Sequence, residues 1–265
     1  MCGLIAGGSL LITAARWRKC GAPDRRQKEF CSMSKSVQIV LFDGFDLLDA
    51  IAPFEVIAAG NECFLGGELS IEMVSAEGPR EVVSGSQGVT LKATSGLDPH
   101  KAGIIVVPGA AGPVDGDPNA GVETIPVLLA RFAGTAAIPL IAEAMTDPDV
   151  LVTTVCGGSL ALAMGGLLEG RNVVTHVLGM DALDATGATA IRARVVDDGD
   201  LVTAGGVTSG LDLGLYLLDR EFGPQIAHGV EELFEYERRG TVWRSAGRHP
   251  VATATADTPA AQVMA

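Results

Sequence analysis

Short apolar runs alternate along the chain with longer stretches of helical or small-residue character. Val37 to Phe42 reads as a first strand, closed by the turn Phe42-Asp43-Gly44. Asp46 to Ile51 gives a turn or short helical piece, and Pro53 suits the first position of a helix reaching about Gly60. Leu69 to Ala76 predicts a second strand, with apolar residues at Ile71, Met73 and Val74. Glu81 to Ser84 and Val89 to Ala93 alternate around Gly85 and Gly88 as a hairpin. Asp98-Pro99 then turns into Ile104 to Val107, a run apolar on both faces. Such a strand belongs in the middle of a parallel sheet covered by helices.

Pro108 to Gly112 follows that strand, and Pro113 to Gly121 reads as a loop. Val122 to Met145 is helical material interrupted by Gly134 and Pro139, which predicts two helices. Leu151 to Val155 is another buried strand, followed by a helix to about Leu168. Arg171 to Thr175 predicts a short strand, with His176 and a helix to Thr186 behind it. Arg192 to Val196 and Leu201 to Thr203 form a hairpin about Asp198-Gly199. A long apolar helix, Leu211 to Phe222, and the segment Pro224 to Glu237 close the pattern. Strands alternating with helices mean an α/β fold, a mostly parallel sheet with helices on both faces. Ligands on such sheets bind outside the carboxyl ends of the strands. The segments around Asp49, Gly109 and Cys156 all follow strands, so they are expected on one rim.

Composition narrows this picture. The 265 residues fit one large domain, and 34 glycines with a 48% hydrophobic content suit a well-buried core with many tight turns. A net charge of −13 argues against nucleic acid as a partner, because phosphate binding needs a basic face. Five cysteines (Cys2, Cys20, Cys31, Cys63, Cys156) show no metal-type spacing, which reads as reduced thiols in a cytoplasmic enzyme with no metal. Leu4 to Ala15 is too short to span a membrane. Its basic cluster Arg16, Arg18 and Lys19 lies after it, where a secretory signal carries its charge before. Residues 1–33 are therefore expected to be a disordered extension, 34–240 the folded domain, and 241–265 a disordered tail, with no membrane partner.

Cys156 carries the chemistry. It sits between the buried strand Leu151–Val155 and the small, helix-prone Gly157-Gly158-Ser159-Leu160-Ala161, on a sharp elbow. There the free N–H groups and dipole of a helix start are aimed at its sulfur, favouring thiolate, the nucleophilic form. The plainer reading is a buried cysteine acting as a small hydrophobe.

The run from Val155-Cys156-Gly-Gly-Ser to Leu168-Glu-Gly-Arg, then Val-Val-Thr175-His176, resembles the ThiJ/PfpI superfamily of class I glutamine-amidotransferase-like proteins, and within it the isonitrile hydratase branch. Leu48-Asp49 with Pro53 four residues on, Pro108-Gly109-Ala110, and Gly205-Gly-Val-Thr-Ser-Gly-Leu-Asp212 match the same branch. The resemblance spans about Val37 to Tyr236. It implies a flavodoxin-like three-layer α/β sandwich, a homodimer, Cys156 as nucleophile and Asp49 as the acid beside it. A carboxyl next to a thiolate in a partly dry pocket tends to keep its proton, and can donate to sulfur and then to substrate. The N–H groups of Gly157 and Ala110, at the turn with Gly109, would face charge developing on a substrate atom.

An isonitrile hydratase adds water to R–N≡C, giving an N-substituted formamide with no metal or organic cofactor. The chain departs from that branch at Gly157, where threonine is usual, at Ala110, usually a second glycine, and at Val177, commonly tryptophan. Pro113 to Ala136 is also longer, so the covering of the pocket is expected to be remodelled.

Plainer readings stand beside these. Asp49 also fits as a cap for the helix beginning near Pro53, and His176 as a packing residue near the site. Thr208, with Ser209 and Asp212, fits either the pocket rim or a helix cap. The glycines of 205–210 lack the Lys-Ser/Thr of a phosphate loop and read as turn and packing residues. The leading function is thus a cysteine-dependent hydratase or hydrolase acting on a small molecule. The alternatives are a glyoxalase- or deglycase-like activity on reactive aldehydes, and a non-catalytic ligand or redox sensor. AraC-type regulators carry this domain ahead of a helix-turn-helix domain of about 100 residues. Fewer than thirty residues follow Arg238 here, which argues against that version.

Overall fold

The chain's computed structural model describes residues 35–101, 103–116 and 121–247. The expectations for 1–33, with Cys2, Cys20 and Cys31, and for 248–265 lie outside the described residues. In chain order the first strands are β1 (Ser36–Val40), β2 (Ser70–Ser75), β3 (Arg80–Val83), β4 (Thr90–Ala93), β5 (Ser95–Gly96) and β6 (Ile104–Val107). They are followed by β7 (Leu151–Val155), β8 (Asn172–Val173), β9 (Thr189–Ala190), β10 (Val195–Asp197), β11 (Leu201–Ala204) and β12 (Trp243–Arg244). The helices are α1 (Leu47–Cys63), α2 (Ile125–Ala133), α3 (Ala137–Ala144), α4 (Gly158–Met164), α5 (Met180–Asp184), α6 (Ser209–Phe222) and α7 (Pro224–Phe234).

Eight strands form one sheet in the order β12-β10-β11-β7-β6-β1-β2-β5, parallel throughout except for the β10–β11 hairpin. β6, β7 and β11 are buried at every position, as strands covered on both faces must be. Thr153 is tolerated inside β7 because its hydroxyl donates to Ile105 O at 2.9 Å. β3 and β4 make a separate antiparallel hairpin, and β8 pairs with β9.

α1, α6 and α7 pack together on one side of the sheet, and α2, α3, α4 and α5 make the other layer. The first layer is tight because α6 presents glycine to α1. A Cβ on Gly214 would lie 2.8 Å from Val56 Cβ, so only glycine lets the helices approach this closely. Within the 205–210 stretch Gly210 packs in the same way, since a Cβ there would lie 3.0 Å from Pro53 Cδ and 3.2 Å from Ala52 Cβ. The architecture is the three-layer, mostly parallel sandwich expected from the alternation of elements, and no single described helix is long and apolar enough to cross a membrane.

Several boundaries differ from the sequence reading. α1 begins at Leu47, because Asp46 caps it: Oδ1 accepts from the N–H of Leu48 at 2.9 Å and of Asp49 at 3.4 Å. Pro53 lies inside this helix, where it has no N–H to give the carbonyl of Asp49 four residues earlier. The break between α2 and α3 falls at Gly134, and Pro139 sits in the first turn of α3, where an N–H would have no helical partner. α4 stops at Met164 rather than Leu168, with Gly165 as its cap. His176 leads into a 3₁₀ turn, Val177–Gly179, before α5. Trp243–Arg244, assigned to the tail, instead pair in parallel with β10 and cover the edge of the sheet.

Candidate active site

The loops after β1, β6 and β7 meet, as expected, at the carboxyl ends of three adjacent strands. Asp49 arrives on the first turn of α1, fully buried. Gly109 follows β6, and its N–H donates to Asp49 Oδ2 at 3.0 Å. A short antiparallel bridge between Phe45 and Ala110 holds the two loops together: Asp46 N–H donates to Gly109 O at 2.8 Å and Ala111 N–H to Gly44 O at 3.0 Å. In that pairing the N–H of Ala110 points away from its partner strand, and it finds no acceptor among the described residues.

Cys156 directly follows β7 with φ of +55°, the left-handed region that costs a residue with a Cβ about 1–2 kcal/mol. The strain is held by polar contacts on both of its peptide groups. Its N–H is shared between Ala204 O at 3.0 Å and Gly205 O at 2.9 Å, and its carbonyl accepts from Thr175 Oγ1 at 2.7 Å. Ser159 Oγ donates to Val174 O at 2.7 Å, tying the start of α4 to the segment that carries Thr175. The elbow is thus over-determined, as strained functional positions are. Thr175 was visible in the sequence as part of a motif, but its job as a brace on the cysteine carbonyl was not.

Electrostatics in the pair run opposite to the elbow argument taken alone. Burial pushes the Asp49 carboxyl up to about 8, helped by the nearby Asp46 and opposed by the Gly109 N–H and by a hydrogen bond with Cys156. Burial also pushes the Cys156 thiol up, and the carboxyl of Asp49 adds to this; the Gly157 N–H pulls it down. Burial of the sulfur thus opposes the thiolate that the helix start and the Gly157 N–H favour. The sulfur, 8% exposed to solvent, pays for desolvation when charged. Near neutral pH burial favours the protonated Asp49 carboxyl. Asp49 Oδ1 is buried and has no partner among the described side chains, which suits an acid oxygen carrying a proton to be given away.

The remaining sequence-predicted residues separate into two groups. Gly157 N–H is directed at the thiol, and Gly109, which precedes Ala110, lies against both Gly157 N and Asp49 Oδ2. His176 caps the 3₁₀ turn, its Nδ1 accepting from Leu178 N–H at 3.2 Å, and its ring packs over Gly206. The reading as a structural neighbour fits this geometry. Thr208 precedes α6 at its N-cap, exposed, and accepts from Arg194 at 2.9 Å. Asp49 does not cap α1, since Asp46 does. The described cysteines, Cys63 and Cys156, are both free thiols. No cluster of potential metal ligands occurs among the described residues. Two clefts, of about 510 Å³ near His100 and about 810 Å³ near Arg238, lie elsewhere and do not border Cys156.

The sequence profile of the DJ-1/PfpI family matches residues 130–220, from α2 through the cysteine elbow to α6. Isonitrile hydratase of Pseudomonas putida is 30% identical over 77% of this chain and 79% of its own length. The chain belongs to the DJ-1/PfpI family. A ThiJ/PfpI family protein from Pseudomonas syringae superposes with a TM-score of 0.62 at 23% identity, over 84% of this chain and 85% of that one, which shows the fold. The family also reaches into transcription factors: the HTH-type transcriptional regulator CdhR of Pseudomonas aeruginosa is 27% identical over 76% of this chain, but the match spans 55% of the regulator. DJ-1/PfpI membership accords with the mostly parallel sheet and its covering helices. It leaves the reaction to be argued from the residues.

Proposed function

We propose that this chain is a cysteine-dependent small-molecule hydratase that adds water to an isonitrile, with Cys156 as nucleophile and Asp49 as the acid and base. The observation carrying this reading is the buried Asp49 carboxyl, oriented by Gly109 N–H, against the thiol of Cys156. The identity to an isonitrile hydratase supports the choice of substrate.

The proton inventory suits this substrate. The terminal carbon of R–N≡C accepts a proton as well as a nucleophile. Asp49 gives its proton to that carbon while sulfur forms the C–S bond, and the thiol proton passes to the carboxylate. The result is a thioimidate, R–N=CH–S–Cys156, with Asp49 neutral again. Water then adds to the same carbon, its proton reaching nitrogen through Asp49. The C–S bond breaks, sulfur regains a proton, and R–NH–CHO leaves. A resident thiolate is not required, because Asp49 takes up the thiol proton as it gives its own to carbon. Gly157 and Ala110 supply N–H groups toward charge on the reacting atoms. A carboxyl held near 8 is matched to giving and taking protons around neutrality.

Wild type and Cys156→Ala incubated with cyclohexyl isocyanide, with formamide followed by chromatography, test the assignment. Formamide from wild type alone supports it. Lactate from methylglyoxal, with no formamide, would move the same thiol to aldehyde chemistry. Inactivity of wild type on both would favour a sensor, the role its regulator relatives suggest.

A further inference from the structure

Gly157 has no side chain, and the space one would take is filled from a different element. A Cβ at this position would lie 3.0 Å from Leu129 Cδ1 and 3.3 Å from Leu129 Cδ2. The backbone there is ordinary, with φ −68° and ψ −7°, so glycine does not serve a left-handed turn. What the position needs is room for Leu129. That leucine is on α2, 1% exposed, and belongs to the same buried cluster as Cys156.

α2 is anchored from both sides of Leu129. Leu128 fills the space over Gly44, where a Cβ would meet its Cδ2 at 2.7 Å. Arg131 pairs with Glu123 and donates to Asp43 O at 3.4 Å. Both contacts tie the helix to the loop that leads into Asp49. The leucine is therefore held over the cysteine elbow, with little freedom to swing aside.

We propose that Leu129 is a specificity-determining residue: an apolar gate resting on Gly157 that sets the size and polarity of the group carried by an electrophile reaching Cys156. This rests on reading Cys156 as the nucleophile. An electrophile whose reacting carbon lies on the sulfur beside Gly157 N–H turns its substituent toward two methyl groups that offer no hydrogen bond. Compact apolar substituents pack there. Polar ones lose hydration without a replacement, and bulky ones must displace a leucine fixed by its helix.

The test compares alkylation of Cys156 by iodoacetamide and by the larger, apolar iodoacetanilide, in each of which sulfur displaces iodide. Rates are assigned by peptide mass, with Cys63 as an internal reference. In Leu129→Ala the anilide-to-amide rate ratio at Cys156 is expected to rise about tenfold or more, and in Leu129→Val by less, while the ratio at Cys63 stays constant. An unchanged ratio in a folded alanine variant, or in the valine variant where alanine does not fold, overturns the gate. The readout needs no turnover, so a wild type that makes no formamide loses the hydratase assignment without touching this result. A Cys156 that neither reagent labels in any variant removes the nucleophile and the gate together.

Discussion

Gly109 donates its N–H to Asp49 Oδ2 across sixty residues of sequence, and its missing side chain is what lets the carboxyl come so close. A Cβ at Gly109 would stand 2.6 Å from Gly157 N and 2.8 Å from Asp49 Oδ2. Backbone and a buried acid cannot step aside as a flexible side-chain tip can. Gly109→Ala is therefore expected to cost about 1–3 kcal/mol in urea unfolding and to abolish formamide production together. A variant with wild-type stability and turnover would show that the two loops are not packed as described.

Asp49 keeps its proton to about pH 8 in the folded chain, against an ordinary value of 3.8. Between those values the folded state binds a proton that the unfolded state has released, so this group makes stability fall as pH rises. The slope is at most about 1.4 kcal/mol per pH unit, and it ends above the folded value. Asp49→Asn keeps the shape and removes the titration. Unfolding free energies of the variant, relative to wild type, are expected to improve steadily from about pH 5 to about pH 8 and then level off. Parallel profiles would mean that Asp49 is not held neutral. The same variant should lose about 10²- to 10⁴-fold in turnover.

The positive φ of Cys156 gives a prediction free of the chemistry. Cys156→Ala and Cys156→Gly both delete the thiol, but only glycine is at ease in the left-handed region. In a helix or strand interior glycine would be the less stable of the two by about 0.5–1 kcal/mol. Here Cys156→Gly is expected to equal or exceed Cys156→Ala in thermal unfolding, because relief of about 1–2 kcal/mol opposes that cost. A clearly less stable glycine variant would argue against the elbow.

Asp212 is 2% exposed and accepts from Arg194 Nε at 2.6 Å, Tyr236 OH at 3.0 Å and Arg239 N–H at 2.6 Å. It clasps the segment leading to β12 onto α6. Asp212→Ala leaves the guanidinium and the Arg239 N–H without their acceptor, and is expected to cost about 3 kcal/mol. Limited trypsin digestion should then cleave after Arg238 or Arg239 faster than in wild type. Unaltered stability and cleavage would show the clasp to be idle.

Local pattern was enough to place most of the elements. Ile104 to Val107 and Leu151 to Val155 are apolar on both faces, and that alone marks central parallel strands. The helix start at Leu47 was less legible, since Asp46 and Pro53 both signal a beginning. The capping hydrogen bonds of Asp46 decide it. Trp243–Arg244 gave no periodic signal, because a two-residue edge strand is defined by its partner, β10, rather than by its own sequence.

By itself the sequence determined the order of strands and helices, the cysteine at a strand-to-helix elbow, and the acid that follows the first strand. The first two are consequences of residue type and spacing, which act over a few positions; the acid was marked out by resemblance to a family. Only the tertiary structure decided the burial of the pair, the brace from Thr175, the Arg194 contact of Thr208 and the leucine over Gly157. Each depends on how much water and which atoms from distant segments surround a group. Burial of both Asp49 and Cys156 favours their neutral forms, an effect of surroundings that no local spacing carries.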